Sequence, residues 1–490
     1  MREFMVQMYK MYIGGEWTEA ETHFDDVNPA TEEVIAKFPN GTNEDVNRAV
    51  DAAQVALRGW AETPGPTRGH ILLRVAEILR VEKDRLGKVV ATEMGKVLPE
   101  ALGDVQEAID TFEYFSGEGR RLFGNTTTSE LRNKFSMTIR RPVGVMGLIT
   151  PWNFPIAIPA WKLAPALICG NTVVLKPSSD TPLCAYEIVK ILEKAGVPPG
   201  VVNFVTGSAT VVGEAIVKHP KIEGVSFTGS KNTGEWIIKN AGLKKVGLEL
   251  GGKNPIIVMD DAKLDLAVEG ILWGAFGTTG QRCTAASRVI VNVKIREKLL
   301  GMLLEKAKKL RLGSGLEKTT DVGPLINKAA VDKTEKYVEI GKDEGAKLVC
   351  GGSRPQGRGF FYTPTIFEGV TKDMRIAKEE IFGPVLAVLE FDNIDDAIEI
   401  ANSVEYGLSS SIYTRDINNA FKAIERIESG ITYINASTIG AEVHLPFGGV
   451  KGTGHTREAG IMGIDEFSNV KTVYVDYSGK LQKAQIDVEE

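Results

Sequence analysis

The stretch VGVMGLITPWNFPIAIPAWKLAPALICGNTVVLKPSSD, residues 143–180, decides the fold. Val143–Ile149 and Thr172–Lys176 are short β-rich runs, and between them apolar residues recur at helical spacing over Pro159–Cys169. Lys162 is the only charged residue from Val143 to Leu175, so a hydropathy window takes the run for a membrane span. Pro151, Pro155, Pro159 and Pro165 forbid that and divide it into strand, loop, short helix and strand. The rhythm continues outward. Strands at Val201–Thr206, Gly224–Thr228 and Val246–Leu250 alternate with helical patterns at Pro182–Ala195, Val211–Lys218 and Asn232–Ala241, the mark of a parallel sheet covered by helices. Upstream, Asn43–Trp60, Arg68–Arg85 and Pro99–Tyr114 read as long helices packed on the same sheet. Downstream, strands Pro255–Met259 and Arg288–Val293 with helices Leu264–Phe276 and Arg296–Arg311 begin a second alternation that runs to about Gly449. The expected fold is α/β with two doubly wound domains, residues 1–124 with 142–253 and residues 254–450. Asn125–Arg141, which includes the alternating Lys134–Ile139, and the tail Thr472–Asp476 fit neither rhythm. Both read as strands with unsatisfied edges, so segments 125–141 and 468–490 are expected to form a small β oligomerisation element.

A chain of 490 residues exceeds what one core supports, and 43% hydrophobic with 25% charged residues is the composition of a soluble globular protein. The formal charge of −6, with both signs interleaved, offers no basic stripe for a phosphate backbone, which excludes nucleic acid as a partner. The opening MREFMVQMYKMYIGGEW carries Arg2 and Lys10 but lacks a signal peptide's apolar core and cleavage site, so a cytoplasmic location is expected. Four scattered cysteines with no C-x-x-C pair make neither a disulfide framework nor a zinc site. His23, His70, His219, His444 and His455 are dispersed, and no His/Cys/carboxylate grouping has metal-ligand spacing. Metalloenzyme and Cys–His hydrolase readings lack parts.

Within FGTTGQRCTAASR, Phe276–Arg288, Cys283 sits among small and polar residues between a helix and a strand, whereas Cys169, Cys184 and Cys350 lie in apolar patterns that bury inert thiols. VGLELGGKNP, Val246–Pro255, puts Glu249 near the end of an apolar strand. It is either an ion-paired strand-end residue or a general base whose pKa is raised by burial. Gly247-x4-Gly252-Lys253 nearly spells a phosphate loop, but Asn254 stands where magnesium needs Ser or Thr. In ITPWNFP, Ile149–Pro155, Asn153 follows a strand's carboxyl end, where it is a turn residue or an oxyanion donor. GVSFTGSKNTG, Gly224–Gly234, runs from strand through Gly229 and Ser230 into a helix and presents free amides to a pyrophosphate. VLKPSSD, Val174–Asp180, places Lys176 and Ser179 to meet a ribose or its phosphate.

PWNFP, KPS, FTGS, LELGGKNP, GQRC, EEIFGP and PFGG in this order resemble the aldehyde dehydrogenase superfamily over nearly the whole chain, from YIGGEW to the tail. AIPAWKLAP and STIGAEVHLPFGGVKGTG most resemble its 2-oxoglutarate semialdehyde (2,5-dioxopentanoate) dehydrogenases. The resemblance implies two Rossmann-like domains and a homo-oligomer, dimer or tetramer. It also implies catalysis by Cys283 as nucleophile, the Asn153 amide and Cys283 N–H as oxyanion donors, and Glu249 as base for thioester hydrolysis. For an NAD(P) cofactor it assigns Lys176 to the adenine ribose, Ser230 to the pyrophosphate, Glu380 to the nicotinamide ribose, and Trp152, Thr228 and Phe382 to the nicotinamide half. It further gives Ile149, Thr150, Asn153, Ser178, Gly207, Gly213, Phe227, Gly229, Thr233, Glu249, Leu250, Gly251 and Cys283 to the cofactor cleft. Ser179 departs from the glutamate common in NAD-specific members, so NADP is expected to be accepted. Phe154, Trp161, Ile439 and Phe447 match the aldehyde tunnel. Arg282 either attracts the far carboxylate of a semialdehyde acid or serves packing and a salt bridge. A CoA-acylating dehydrogenase, a thioesterase and a non-catalytic descendant of the fold are the competing readings.

Overall fold

The computed structural model describes residues 6–487. Residues 1–5, with Arg2, and 488–490 are the outer ends of the expected first domain and oligomerisation element, and they lie outside the described residues. Five parallel strands, in the order Lys245–Glu249, Gly224–Thr228, Val145–Ile149, Thr172–Lys176 and Val202–Phe204, form the centre of a seven-stranded sheet. Helices cover both faces, which is why Thr172–Lys176 is buried at every position. Strand order reverses between Val145–Ile149 and Gly224–Thr228, so a crevice opens at the carboxyl ends of these two. The strands expected at Thr172–Lys176 and Gly224–Thr228 keep those bounds.

Three long helices, Asn43–Glu62, Gly65–Glu93 and Leu98–Glu118, precede this sheet. Thr42 and Asp45 close a capping box at the first, and prolines open the other two where no N–H is needed. Leu72, Val75 and Leu79 join Val105, Ile109 and Phe112 in one core with the sheet's Leu148, Val173 and Leu175. Short strands went unread in the sequence. Met11–Ile13 and Glu16–Thr18 extend the sheet as an antiparallel edge, and His23–Asn28, Glu33–Pro39 and Gln7–Met8 form a separate sheet. Their brevity and acidic residues such as Asp25 and Asp26 hide the period-two signal. The expected helix Val211–Lys218 is divided into a π turn at Ala209–Gly213 and a short helix at Glu214–Lys218.

A second seven-stranded sheet runs Lys347–Cys350, Thr365–Glu368, Val385–Phe391, Ala286–Asn292, Asn254–Val258, Ser409–Tyr413 and Ile431–Ile434, parallel except at the Lys347–Cys350 edge. That edge position leaves Cys350 half-buried, in contrast to the buried Cys169 and Cys184. The two segments read as having unsatisfied edges pair with each other. Lys134–Pro142 and Ser468–Asp476 run antiparallel from Pro142 opposite Ser468 to Lys134 opposite Asp476, with Thr126–Thr128 on the other side. Lys134–Pro142 is thereby paired on both sides, while Ser468–Asp476 and Thr126–Thr128 each keep one edge that no strand of this chain covers. Among the described residues, no helix is long and apolar enough to cross a membrane.

Candidate active site

Cys283 follows a turn of unusual backbone. Thr278, Thr279 and Gly280 adopt φ of 49°, 58° and 71° in succession, a left-handed conformation costly for β-branched threonine. Side-chain bonds hold it: Thr278 donates through its N–H and hydroxyl to Glu100, and the Thr279 hydroxyl donates to the Gly323 carbonyl at 2.9 Å. Gln281, fully buried, donates to the Pro324 carbonyl and accepts the Ile326 N–H. Beyond the turn, Asn254 donates to the Cys283 carbonyl at 2.7 Å. Gly252 is required there, because a Cβ would stand 2.3 Å from that same carbonyl oxygen. The Cys283 thiol is pushed up to about 12, by burial first and then by the charges of Glu249 and Glu380, so at rest it keeps its proton.

Glu249 ends its strand 3% exposed, and neither carboxylate oxygen has a hydrogen-bond partner. Burial, then the charge of Glu458, holds its pKa well above the usual carboxylate range. The ion-paired reading of Glu249 therefore fails at this position. The ion pair belongs instead to Lys162 and Glu458, both buried, with the Lys162 amine also donating to the Ser226 hydroxyl at 2.8 Å. Glu466 is raised to about 7 by burial and then by Glu458. The sequence reading passed over Glu458 and Glu466, and used Lys162 only as a lone charge in an apolar run. That lone charge was the one available signal.

Cys283 and Glu249 line a single cavity of about 570 Å³ together with Phe154, Trp161, Thr228, Leu250, Arg282, Ile439, Phe447 and Glu458. The five residues expected at the substrate are all brought to it. Trp161 and Phe447 meet edge to face at 4.8 Å. Arg282 carries both of its alternative features at once: it faces the cavity, yet its Nε donates to the Thr278 hydroxyl at 2.8 Å and Glu100 lies 3.5 Å from its guanidinium. Asn153, 4% exposed, is not among these lining residues; its amide donates to the Gln281 carbonyl at 3.1 Å, which leaves its second N–H free.

The residues expected to hold a dinucleotide gather at the carboxyl ends of adjacent strands. Ile149 pairs across from Lys176, Phe227 from Ile149, and Thr228 from Glu249. Thr150 donates its N–H to the Lys176 carbonyl at 3.1 Å. Gly229 donates its N–H to the Glu249 carbonyl at 3.0 Å, and Ser230 caps helix Lys231–Asn240 by accepting from Thr233. Leu250 packs on Gly234, and Gly213 lies beside the Lys176 stem. Gly207, at φ 138°, accepts at its carbonyl from the Ser179 hydroxyl, and the Ser178 hydroxyl meets Asp180 at 3.1 Å. Across the crevice, Trp152 and Phe382 stand edge to face at 5.4 Å. Glu380 accepts the Gly252 N–H at 2.9 Å, and a Cβ on Gly251 would meet its carboxylate. The crevice fits a dinucleotide. The Thr150 and Thr228 hydroxyls lack partners, and the buried Lys176 amine, lowered to about 8, touches only its neighbour's carbonyl.

Residues 17–473 match the model of the aldehyde dehydrogenase family. The alpha-ketoglutaric semialdehyde dehydrogenase of Bacillus subtilis is 43% identical over 95% of this chain and 98% of its own length. The alpha-ketoglutarate semialdehyde dehydrogenase of Haloferax volcanii is 44% identical over 96% of this chain and 100% of its own. A crystal structure of betaine aldehyde dehydrogenase from Staphylococcus aureus in complex with NAD+ superimposes with a TM-score of 0.95 at 35% identity, covering 96% of each chain.

Proposed function

The chain belongs to the aldehyde dehydrogenase family, and from that premise we propose that it oxidises a semialdehyde acid, such as 2-oxoglutarate semialdehyde, to the dicarboxylic acid with NAD or NADP. That it is an NAD(P)-dependent aldehyde oxidoreductase follows from the family itself; the substrate is the step beyond. The carrying observation is that Cys283 and a partnerless Glu249 carboxyl line the same cavity.

The Cys283 sulfur adds to the aldehyde carbon as the thiol proton passes to water, which leaves the Glu249 carboxyl for the second half. The free Asn153 N–H and the Cys283 backbone N–H receive the oxyanion of the thiohemiacetal. When bound, the dinucleotide supplies the two-electron acceptor that takes this adduct to the thioester. Glu249 then draws a proton from water, the water oxygen attacks the thioester carbon, and the thiolate leaves and is reprotonated. A carboxyl whose pKa is raised by burial is a stronger base than one in water, which suits this second half. Lys176, Ser179, Ser230 and Glu380 would hold the cofactor. Ser179 brings no charge against a 2′-phosphate, which supports acceptance of NADP. The exposed Val470, Tyr474 and Val475 on the sheet of residues 126–142 and 468–476 support assembly through that element.

Absorbance at 340 nm, followed with a panel of aldehydes and each dinucleotide, tests the reading. Semialdehyde acids should give the highest kcat/KM, with both cofactors reduced and no requirement for CoA. A better rate with neutral aldehydes overturns the substrate assignment, and thioester turnover without reduction overturns the oxidoreductase.

A further inference from the structure

Helix Leu98–Glu118 turns Glu100, Gly103, Asp104 and Glu107 toward the cavity, positions that share one helical face. Two of the three carboxylates on this face are occupied. Glu100 accepts from Thr278 at 2.8 and 2.6 Å, and Asp104 pairs with Lys96 at 2.9 Å and accepts the Ala157 N–H at 2.7 Å. Among the described residues, the Glu107 side chain has no such hydrogen bond or ion pair. Elsewhere on the lining, Arg282 lies over the Phe154 and Trp273 rings at 5.3 and 4.8 Å, and the Trp161 indole N–H, on a residue 5% exposed, has no acceptor.

Arg282 and this acidic stripe line the same cavity, so the far carboxylate of a semialdehyde acid held at the Arg282 cation shares that cavity with Glu107. An ionised Glu107 would repel it, whereas a Glu107 that keeps its proton has an O–H to donate. We infer that Glu107 is a specificity-determining residue, holding its proton and donating a hydrogen bond to the far carboxylate of the substrate alongside Arg282. This deepens, and rests on, the semialdehyde-acid reading. Burial, then the charge of Asp104, pushes the Glu107 carboxyl up to about 8, while Lys96 and Arg282 pull the other way. Asp110 on the same helix also raises it, and Tyr433 on strand Ile431–Ile434 faces it. The proton is therefore present at neutral pH and lost as pH rises through that value. The aldehyde's carboxylate stays ionised throughout.

The test is the KM of the full-length enzyme for 5-oxopentanoate relative to that for pentanal, from pH 6.5 to 9.5. In the wild type the ratio should rise about tenfold between pH 7 and pH 9, as the donor form of one carboxyl falls away, with the change in KM rather than kcat. Glu107→Gln, whose amide donates at every pH, should flatten the ratio. Glu107→Leu should raise it at pH 7. A pH-dependent ratio that Glu107→Gln leaves intact, while 5-oxopentanoate remains preferred, overturns this inference alone. Equal handling of 5-oxopentanoate and pentanal by the wild type at pH 7 overturns the semialdehyde-acid reading and this inference with it.

Discussion

The Asn254 side-chain amide donates to the carbonyl of Cys283 at 2.7 Å, and so joins the loop carrying the nucleophile to the segment that carries Glu249. The same amide donates to the Ala285 carbonyl at 2.9 Å, and its oxygen accepts the Ser409 N–H at 2.9 Å. Strand Lys245–Glu249 closes one sheet and Asn254–Val258 begins the other, so this side chain sits where the two sheets exchange the chain. Replacing Asn254 with alanine leaves buried groups unpaired on three backbones, each worth about 1–3 kcal/mol. Urea unfolding should report a loss of at least about 3 kcal/mol, with kcat reduced at least about tenfold by the displaced loop. A change within about 0.5 kcal/mol would show that the brace carries no weight.

Glu249→Gln separates the two halves of the reaction. The amide cannot take a proton from water, so rapid mixing should show a burst of reduced cofactor near one equivalent per active site, followed by turnover slowed about 10²- to 10⁴-fold. Loss of the burst together with turnover would move Glu249 to the first half only. Cys283→Ala should show neither phase.

The thiol of Cys283 titrates high because burial and the neighbouring carboxylates oppose the thiolate. Alkylation by iodoacetamide in the absence of cofactor should therefore climb by about one log unit per pH unit from pH 7 to 9, since the reactive thiolate is a small fraction throughout. A plateau beginning below pH 8 would contradict this environment.

Ser179→Glu places a carboxylate where the Ser179 hydroxyl now meets the Gly207 carbonyl, at the proposed adenosine end of the crevice. Like charge against the 2′-phosphate should lower kcat/KM for NADP by about 10- to 100-fold while leaving that for NAD within roughly threefold. If both cofactors weaken equally, Ser179 acts on the shared part of the dinucleotide instead.

Local patterns carried the architecture a long way. The alternation from Val143 to Glu249 could be read because strands buried on both faces are apolar runs, and because Pro151, Pro155, Pro159 and Pro165 forbid a continuous span. Cys283 stood out through its small, polar neighbours, and Glu249 through being a carboxylate at the end of an apolar strand; both are properties of adjacent residues. Tertiary structure alone decided the rest. Asn254, noticed only as the residue that spoils a phosphate loop, became the brace of the nucleophile because the two sheets meet there. Glu458, in an unremarkable GHTREAG, pairs with Lys162 across 296 positions of chain, and Lys134–Pro142 finds its partner in the C-terminal strand Ser468–Asp476. Arg282, left open in sequence between a carboxylate-binding cation and a salt-bridge residue, stands beside Glu100 in space. Periodicity records which face of an element is buried; it holds no information about which distant element comes to lie against that face, and the charges of this site are set by that choice.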